Sequence, residues 1–122
     1  MPHTRQRLGD FGEQAAAAYL GQAGYQVVAR KWRCALGEID LIVRDTECLV
    51  FVEVRTRRGS SPPAESVNSK KQRRLINLAL LYLQDSQASD TQSWRIDVIA
   101  ISIGSDGQIA MLDHIRSAVE GS

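Results

Sequence analysis

Apolar residues recur at helical spacing between Arg7 and Ala23. Leu8, Phe11, Ala15, Ala18 and Tyr19 share one face and Gly24 supplies a stop, so a first helix is predicted there. The period then changes to alternation. Tyr25–Arg33, Glu38–Arg44 and Glu47–Arg57 read as three strands, the second with Ile39, Leu41 and Val43 on one face and the third rich in β-branched residues. Asp45-Thr46, between the last two, predicts an antiparallel hairpin. Gly59-Ser60-Ser61-Pro62-Pro63 reads as a loop. Asn68 or Ser69 can cap a second helix that runs to Gln84, with Leu75, Leu78, Ala79 and Tyr82 as its apolar stripe. After a polar loop, Ser86–Ser93, a fourth strand over Trp94–Ile103 turns through Gly104–Gly107 into a short fifth, Gln108–Asp113. The order α-β-β-β-α-β-β predicts an α/β fold, a mixed central β-sheet flanked by helices.

Carboxylates interrupt two of these apolar strands. Leu49, Phe51, Glu53 and Arg55 share a face of the third strand, and Glu38, Asp40 and Ile42 share a face of the second. A turn at Asp45-Thr46 pairs Arg44 with Glu47 and leaves Asp40 diagonal to Glu53. A register in which Arg44 faces Leu49 puts the two acids directly opposite. Either way they repel, and burial raises at least one pKa unless a cation compensates. Carboxylate oxygens suit the hard ions Mg²⁺, Mn²⁺ and Ca²⁺. The spacing equally allows an ion pair between Glu53 and Arg55. Glu13 is a third candidate acid, followed at helical spacing by Ala16, Ala17 and Leu20. It either faces solvent near a helix end, where the macrodipole favours it, or reaches the acids on the strands.

Charge is distributed unevenly. Between Arg55 and Arg74 seven cations stand against one acid, Glu65, for a local charge of +6, which leaves −5 on the rest of a chain whose net charge is +1. Such a split points to a local anion-binding surface. Lys70, Lys71, Arg73 and Arg74 crowd the start of the second helix, the end that the macrodipole makes unfavourable for cations. A helix N-terminus rich in cations suits phosphate, and Arg57 and Arg58 end the strand that carries Glu53. A nucleic-acid backbone across the acids, or a plain basic surface, would each explain the cluster.

Length and composition narrow the class. The chain has 122 residues, 43% of them hydrophobic and 24% charged, which fits one folded domain over 1–122 and excludes a disordered tail or a fibrous repeat. Apolar runs such as Leu49–Val52 fall far short of the roughly 20 residues of a spanning helix. No apolar stretch follows the charged start, so no signal peptide is expected. Cys34 and Cys48 lack metal-ligand spacing, which argues against a disulfide framework or a zinc site and makes the cytoplasm the expected compartment. Asp97 has Arg95 as a local ion-pair partner. Trp32 and Trp94 read as packing residues, and His3 and His114 receive no role.

Gly37-Glu38-Ile39-Asp40-Leu41-Ile42 followed by Phe51-Val52-Glu53-Val54-Arg55-Thr56-Arg57 resembles the core of the PD-(D/E)XK nuclease superfamily. With Gly12-Glu13, Lys70–Leu75 and Trp94–Val98 in the same order, the stretch from Leu8 to Ile103 is similar to the YraN-like family of small bacterial proteins. That family is regarded as predicted endonucleases, distantly similar to archaeal Holliday-junction resolvases.

The resemblance implies a restriction-endonuclease-like fold and hydrolysis of DNA phosphodiester bonds, branched DNA included, with Mg²⁺ or Mn²⁺ as cofactor. It implies Asp40 and Glu53 as metal ligands, with the Val54 carbonyl a third, and Glu13 as a direct or water-mediated ligand. Glu38 is read as solvent-facing or supporting, not as a ligand. Arg57, Arg58, Lys70, Lys71, Arg73 and Arg74 would contact nucleic acid, and Gln72 would orient site groups or phosphate. Two-fold junctions imply a homodimer; no membrane partner is implied. Position 55, usually Lys in the family, is Arg here. Arginine keeps its proton and cannot act as a general base, but Arg55 can still bind phosphate or stabilise the transition state, and it stands with Asp40, Glu53 and Glu13 as a catalytic candidate. A nuclease-like fold that binds nucleic acid without cutting it is therefore the alternative.

Overall fold

A computed structural model describes residues 4–59 and 68–119, with side chains from Arg7 onward. Its elements run α1 (Thr4–Gln22), β1 (Gln26–Cys34), β2 (Gly37–Asp45), β3 (Cys48–Arg58), α2 (Ser69–Asp85), β4 (Trp94–Ile103) and β5 (Ile109–Ile115). The five strands form one sheet in sequential order, β1-β2-β3-β4-β5. β3 and β4 are parallel and the other neighbours antiparallel. A parallel pair needs a long crossover, and α2 lies within it. This is the expected α/β arrangement of a five-stranded mixed sheet with helices on both faces, as in restriction-endonuclease-like folds. Residues 60–63 of the expected loop, and His3, lie outside the described residues.

Each helix closes one half of the core. Ala16, Ala17 and Leu20 of α1 pack on Leu41, Val43, Val50, Val52, Ile99 and Ile101. Leu75, Leu78 and Ala79 of α2 pack on Ile39, Ile42, Phe51, Ile96 and Val98. The α2 stripe is the expected one, and Asn68 caps the helix by accepting the Lys71 N–H at 2.9 Å. Trp32 and Trp94 pack edge-on against Tyr82 and Phe51, as packing residues should.

The buried face of α1 differs from the one its large residues suggest. Phe11 is 43% exposed and Ala18 faces solvent. Ala16 and Ala17 face inward beside Leu20, and the helix lies close to the sheet at its start. A Cβ on Gly12 would stand 1.9 Å from Thr56 Oγ1, so glycine at that position permits the approach.

The hairpin register also departs from the simplest expectation. Asp45 pairs with Cys48 and the turn is Thr46-Glu47, with Thr46 at φ +58°. Arg44 therefore faces Leu49, the register that sets Asp40 opposite Glu53. The β2–β3 ladder stops one pair short of them, at Leu41–Val52.

Candidate metal centre

The centre forms where β1 and β2 both turn over. In regular alternation Ile39 would share the α1 face with Leu41, yet it packs on the α2 side with Ile42. Across the ladder, Arg30 faces Leu41 and Trp32 faces Ile39; Lys31, between them, has φ +50°. The turn-over frees Asp40 from the ladder. Its Oδ2 accepts the Val54 N–H at 2.8 Å. Continued pairing would have matched Val54 with Ile39, so a side chain replaces backbone at this point.

Three further acids surround Asp40. Carboxylate oxygens of Glu13, Glu38 and Asp40 lie within 4.8 Å of one another. Glu53 and Asp40 line one cleft of about 220 Å³ together with Gly37, Glu38, Lys71, Arg74, Leu75 and Leu78. Each outer acid has its own cation. Lys31 Nζ lies 3.0 Å from Glu13, Arg33 Nε 2.8 Å from Glu38 and Lys71 Nζ 3.3 Å from Glu53. Asp40 has no ion pair among the described residues. Burial above all, then the neighbouring Glu53, pushes its carboxyl up to about 8; Glu13 and Glu38 add to this, and the Val54 N–H opposes it. Lys31 is also raised, in its case in favour of the charged form: hydrogen bonds to Glu13 and Asp10 lift its ammonium above the ordinary lysine value.

The donor chemistry fits a hard divalent cation. All four side chains offer carboxylate oxygens, and the central one is largely desolvated and has no ion pair among the described residues. Glu13, Glu38 and Asp40 form an acidic triad able to hold such an ion.

Comparison with known proteins bears on what this centre belongs to. The sequence profile described as "Uncharacterised protein family UPF0102" matches residues 12–101. The chain belongs to the UPF0102 family. A UPF0102 protein of Roseiflexus castenholzii is 51% identical over 122 residues, covering 98% of both chains. Those of Nocardia farcinica and Moorella thermoacetica are 44% and 42% identical, covering 93% and 97% of this chain and 89% and 99% of their own. Among solved structures, "The structure of Pyrococcus Furiosus SfsA in complex with Ca2+" aligns with 94% of this chain and 65% of that one, at TM-score 0.41 and 15% identity. A likeness that distant carries no argument about the site.

Within this UPF0102 chain the expected site residues separate into groups. Asp40, Glu53, Lys71 and Arg74 meet in one cleft. Glu13 reaches Asp40 from α1 and is 16% exposed, so it turns toward the strands instead of facing solvent. Glu38, read from sequence as solvent-facing or supporting and not as a ligand, belongs to the acidic triad, two residues from Asp40 on β2. Val54 contributes its N–H to Asp40. Arg55 lies two residues beyond Glu53 on the half-buried end of β3 and makes no hydrogen bond or ion pair among the described residues. The expected alternative, a Glu53–Arg55 pair, gives way to Glu53–Lys71. Arg57 and Arg58 end β3. Lys70, Arg73 and Arg74 are exposed on the first turns of α2, with Gln72 half-buried between them. Asn68, Lys70, Lys71 and Arg74 line a second cleft of about 330 Å³, so Lys71 and Arg74 border both.

A separate polar network lies on the α1 face. Asp97, wholly buried, accepts from Arg95 Nε at 3.0 Å, the expected ion pair, and from the Ser117 N–H at 3.0 Å. His114 Nε2 lies 2.8 Å from Asp97, its Nδ1 lies 3.0 Å from the Tyr19 hydroxyl, and Arg95 also reaches the Tyr25 hydroxyl. His114, left without a role by the sequence, thus ties β5 to α1. No periodic signal could have shown this, because its partners are 17 and 95 residues away.

Proposed function

We propose that this chain is a metal-dependent endonuclease-like protein that hydrolyses phosphodiester bonds in DNA, branched Holliday-junction-like DNA included. The observation that carries the reading is Asp40. It is a desolvated carboxyl among three other acids, in a cleft whose opposite wall is the cationic start of α2. Asp40 and Glu53 would hold Mg²⁺ or Mn²⁺, assisted by Glu13 or Glu38 and by the Val54 carbonyl. When bound, the ion supplies Lewis-acid activation of water and neutralises charge on the phosphate. Around it, Lys70, Lys71, Arg73, Arg74, Arg57 and Arg58 would hold the backbone by charge, with Gln72 orienting it. No helix among the described residues is long and apolar enough to cross a membrane, and a cytoplasmic homodimer matched to a two-fold junction completes the proposal.

Arg55 supports one competing reading, a nuclease fold that binds DNA without cutting it, because arginine cannot take a proton from water. Incubation of supercoiled plasmid, linear duplex and a synthetic four-way junction with Mg²⁺ or Mn²⁺ separates the two. Metal-dependent cleavage by the wild type, lost in an Asp40→Asn/Glu53→Gln variant, is the expected result. Salt-sensitive binding with no cleavage of any substrate would favour the binding module. Neither binding nor cleavage would sink both.

A further inference from the structure

The cation beside Glu53 comes from another element than its own strand. Arg55, two residues along β3, makes no polar contact among the described residues and is absent from the lining of the Asp40–Glu53 cleft. Lys71 fills that place from α2, with Nζ 3.3 Å from Glu53 Oε2. Its backbone is fixed by the Asn68 cap, and its side chain is 34% exposed against 12% for Glu53. The stem is thus held in the cleft while the ammonium faces both the acids and open space.

We propose that Lys71, rather than Arg55, is the substrate-contacting cation of this site: it neutralises Glu53 in the metal-free protein and transfers to a phosphate oxygen of the DNA when Glu53 binds a divalent ion. The inference rests on the nuclease reading above. Three features support it. First, a divalent cation on Glu53 takes up much of the carboxylate charge that holds Lys71, which weakens the pair on Oε2 and favours release of the ammonium. Second, Lys71 borders both the acidic cleft and the basic cleft lined by Asn68, Lys70 and Arg74, so a short swing of its end moves the charge from one to the other. Third, an ammonium on a four-carbon stem is a compact charge with rotatable donors, suited to such an exchange, whereas a guanidinium demands a fixed planar partner. No bond is made or broken in this transfer, and Lys71 keeps its proton throughout.

Two titrations on the full chain test the exchange without relying on turnover. Mn²⁺ affinity is measured by calorimetry for the wild type, Lys71→Met and Arg55→Met. Binding of a short duplex is then compared in EDTA and in Ca²⁺, which probes metal-dependent DNA affinity. Lys71→Met is expected to bind Mn²⁺ at least three-fold more tightly, because the competing internal cation is gone, and to lose the Ca²⁺-dependent gain in DNA affinity. Arg55→Met should keep the wild-type Mn²⁺ affinity and most of that gain. Lys71→Gln serves as the second variant should the Met side chain perturb folding, as judged by thermal melting. Unchanged or weaker Mn²⁺ binding in the Lys71 variants, or a retained Ca²⁺-dependent gain, overturns the proposal alone. A wild type with no metal-dependent DNA binding at all removes the nuclease reading and the proposal with it.

Discussion

The Asp40 carboxylate accepts the Val54 N–H at 2.8 Å, at a point where the β2–β3 ladder has stopped exchanging backbone bonds. One side chain therefore both satisfies a strand N–H and stands at the centre of four acids. The same placement buries most of Asp40 beside Glu53 with no ion pair among the described residues, which is why its carboxyl rises so far above the usual aspartate value.

Stability of the metal-free protein should fall as pH rises. In the unfolded chain Asp40 loses its proton near the ordinary aspartate value of 3.8, whereas in the folded protein it holds it up to about 8. Between those values the native state binds the extra proton, so its contribution is complete below about pH 4 and lost as pH climbs through 8. The slope is at most about 1.4 kcal/mol per pH unit. Asp40→Asn, which can still accept from Val54, should raise the melting temperature in EDTA at pH 8–9 and flatten this part of the profile. Equal pH profiles for the two proteins would show that Asp40 is not the group concerned.

Metal affinity should rise over the same range. Binding to Asp40 requires its deprotonated form, so below pH 8 each ion that binds displaces a proton. Apparent Mn²⁺ affinity should increase by up to about tenfold per pH unit between pH 6 and 8 and then level off. Calorimetry in buffers of different ionisation enthalpy reads the released proton directly. A flat response would place the ion elsewhere.

Gly12→Ala should cost about 1–3 kcal/mol in urea unfolding, the usual range for overpacking. The added Cβ would meet Thr56 Oγ1 at 1.9 Å, and α1 would have to move away from β3. Because Glu13 is the next residue, the variant should also weaken Mn²⁺ binding if Glu13 takes part. Adding Thr56→Ala removes the hydroxyl and should restore part of the stability; its failure to do so would point to the helix backbone instead.

Asp97→Asn should be among the most damaging single changes, at about 3–5 kcal/mol, because it leaves Arg95 and His114 facing a neutral buried partner. The network lies on the α1 face, away from the cleft, so Mn²⁺ affinity of the folded variant should match the wild type. A selective loss of metal binding with unchanged stability would contradict the structural role.

The chain order of its elements, the α2 stripe and the Asn68 cap were all legible in the sequence, because each depends on neighbours within one or two turns. So was the conflict between Asp40 and Glu53, since acids in apolar strands are conspicuous wherever they fold. The hairpin register was open between two choices, because a single positive-φ residue, Thr46, decides the turn and threonine does not advertise that conformation. The inward face of α1 was obscured by its large residues: Phe11 suggested one side, while the close approach at Gly12 selected another.

What the sequence alone determined is therefore the local periodicity and the set of charged groups this protein must accommodate. Tertiary structure decided which cation meets which acid. Lys31, Arg33 and Lys71, drawn from β1 and α2, each neutralise one outer carboxylate, and among the described residues none pairs with Asp40. Coulombic pairing depends on distance in space, and here that distance is set by two strands turning over together at Lys31 and Asp40, a distortion no periodic pattern encodes.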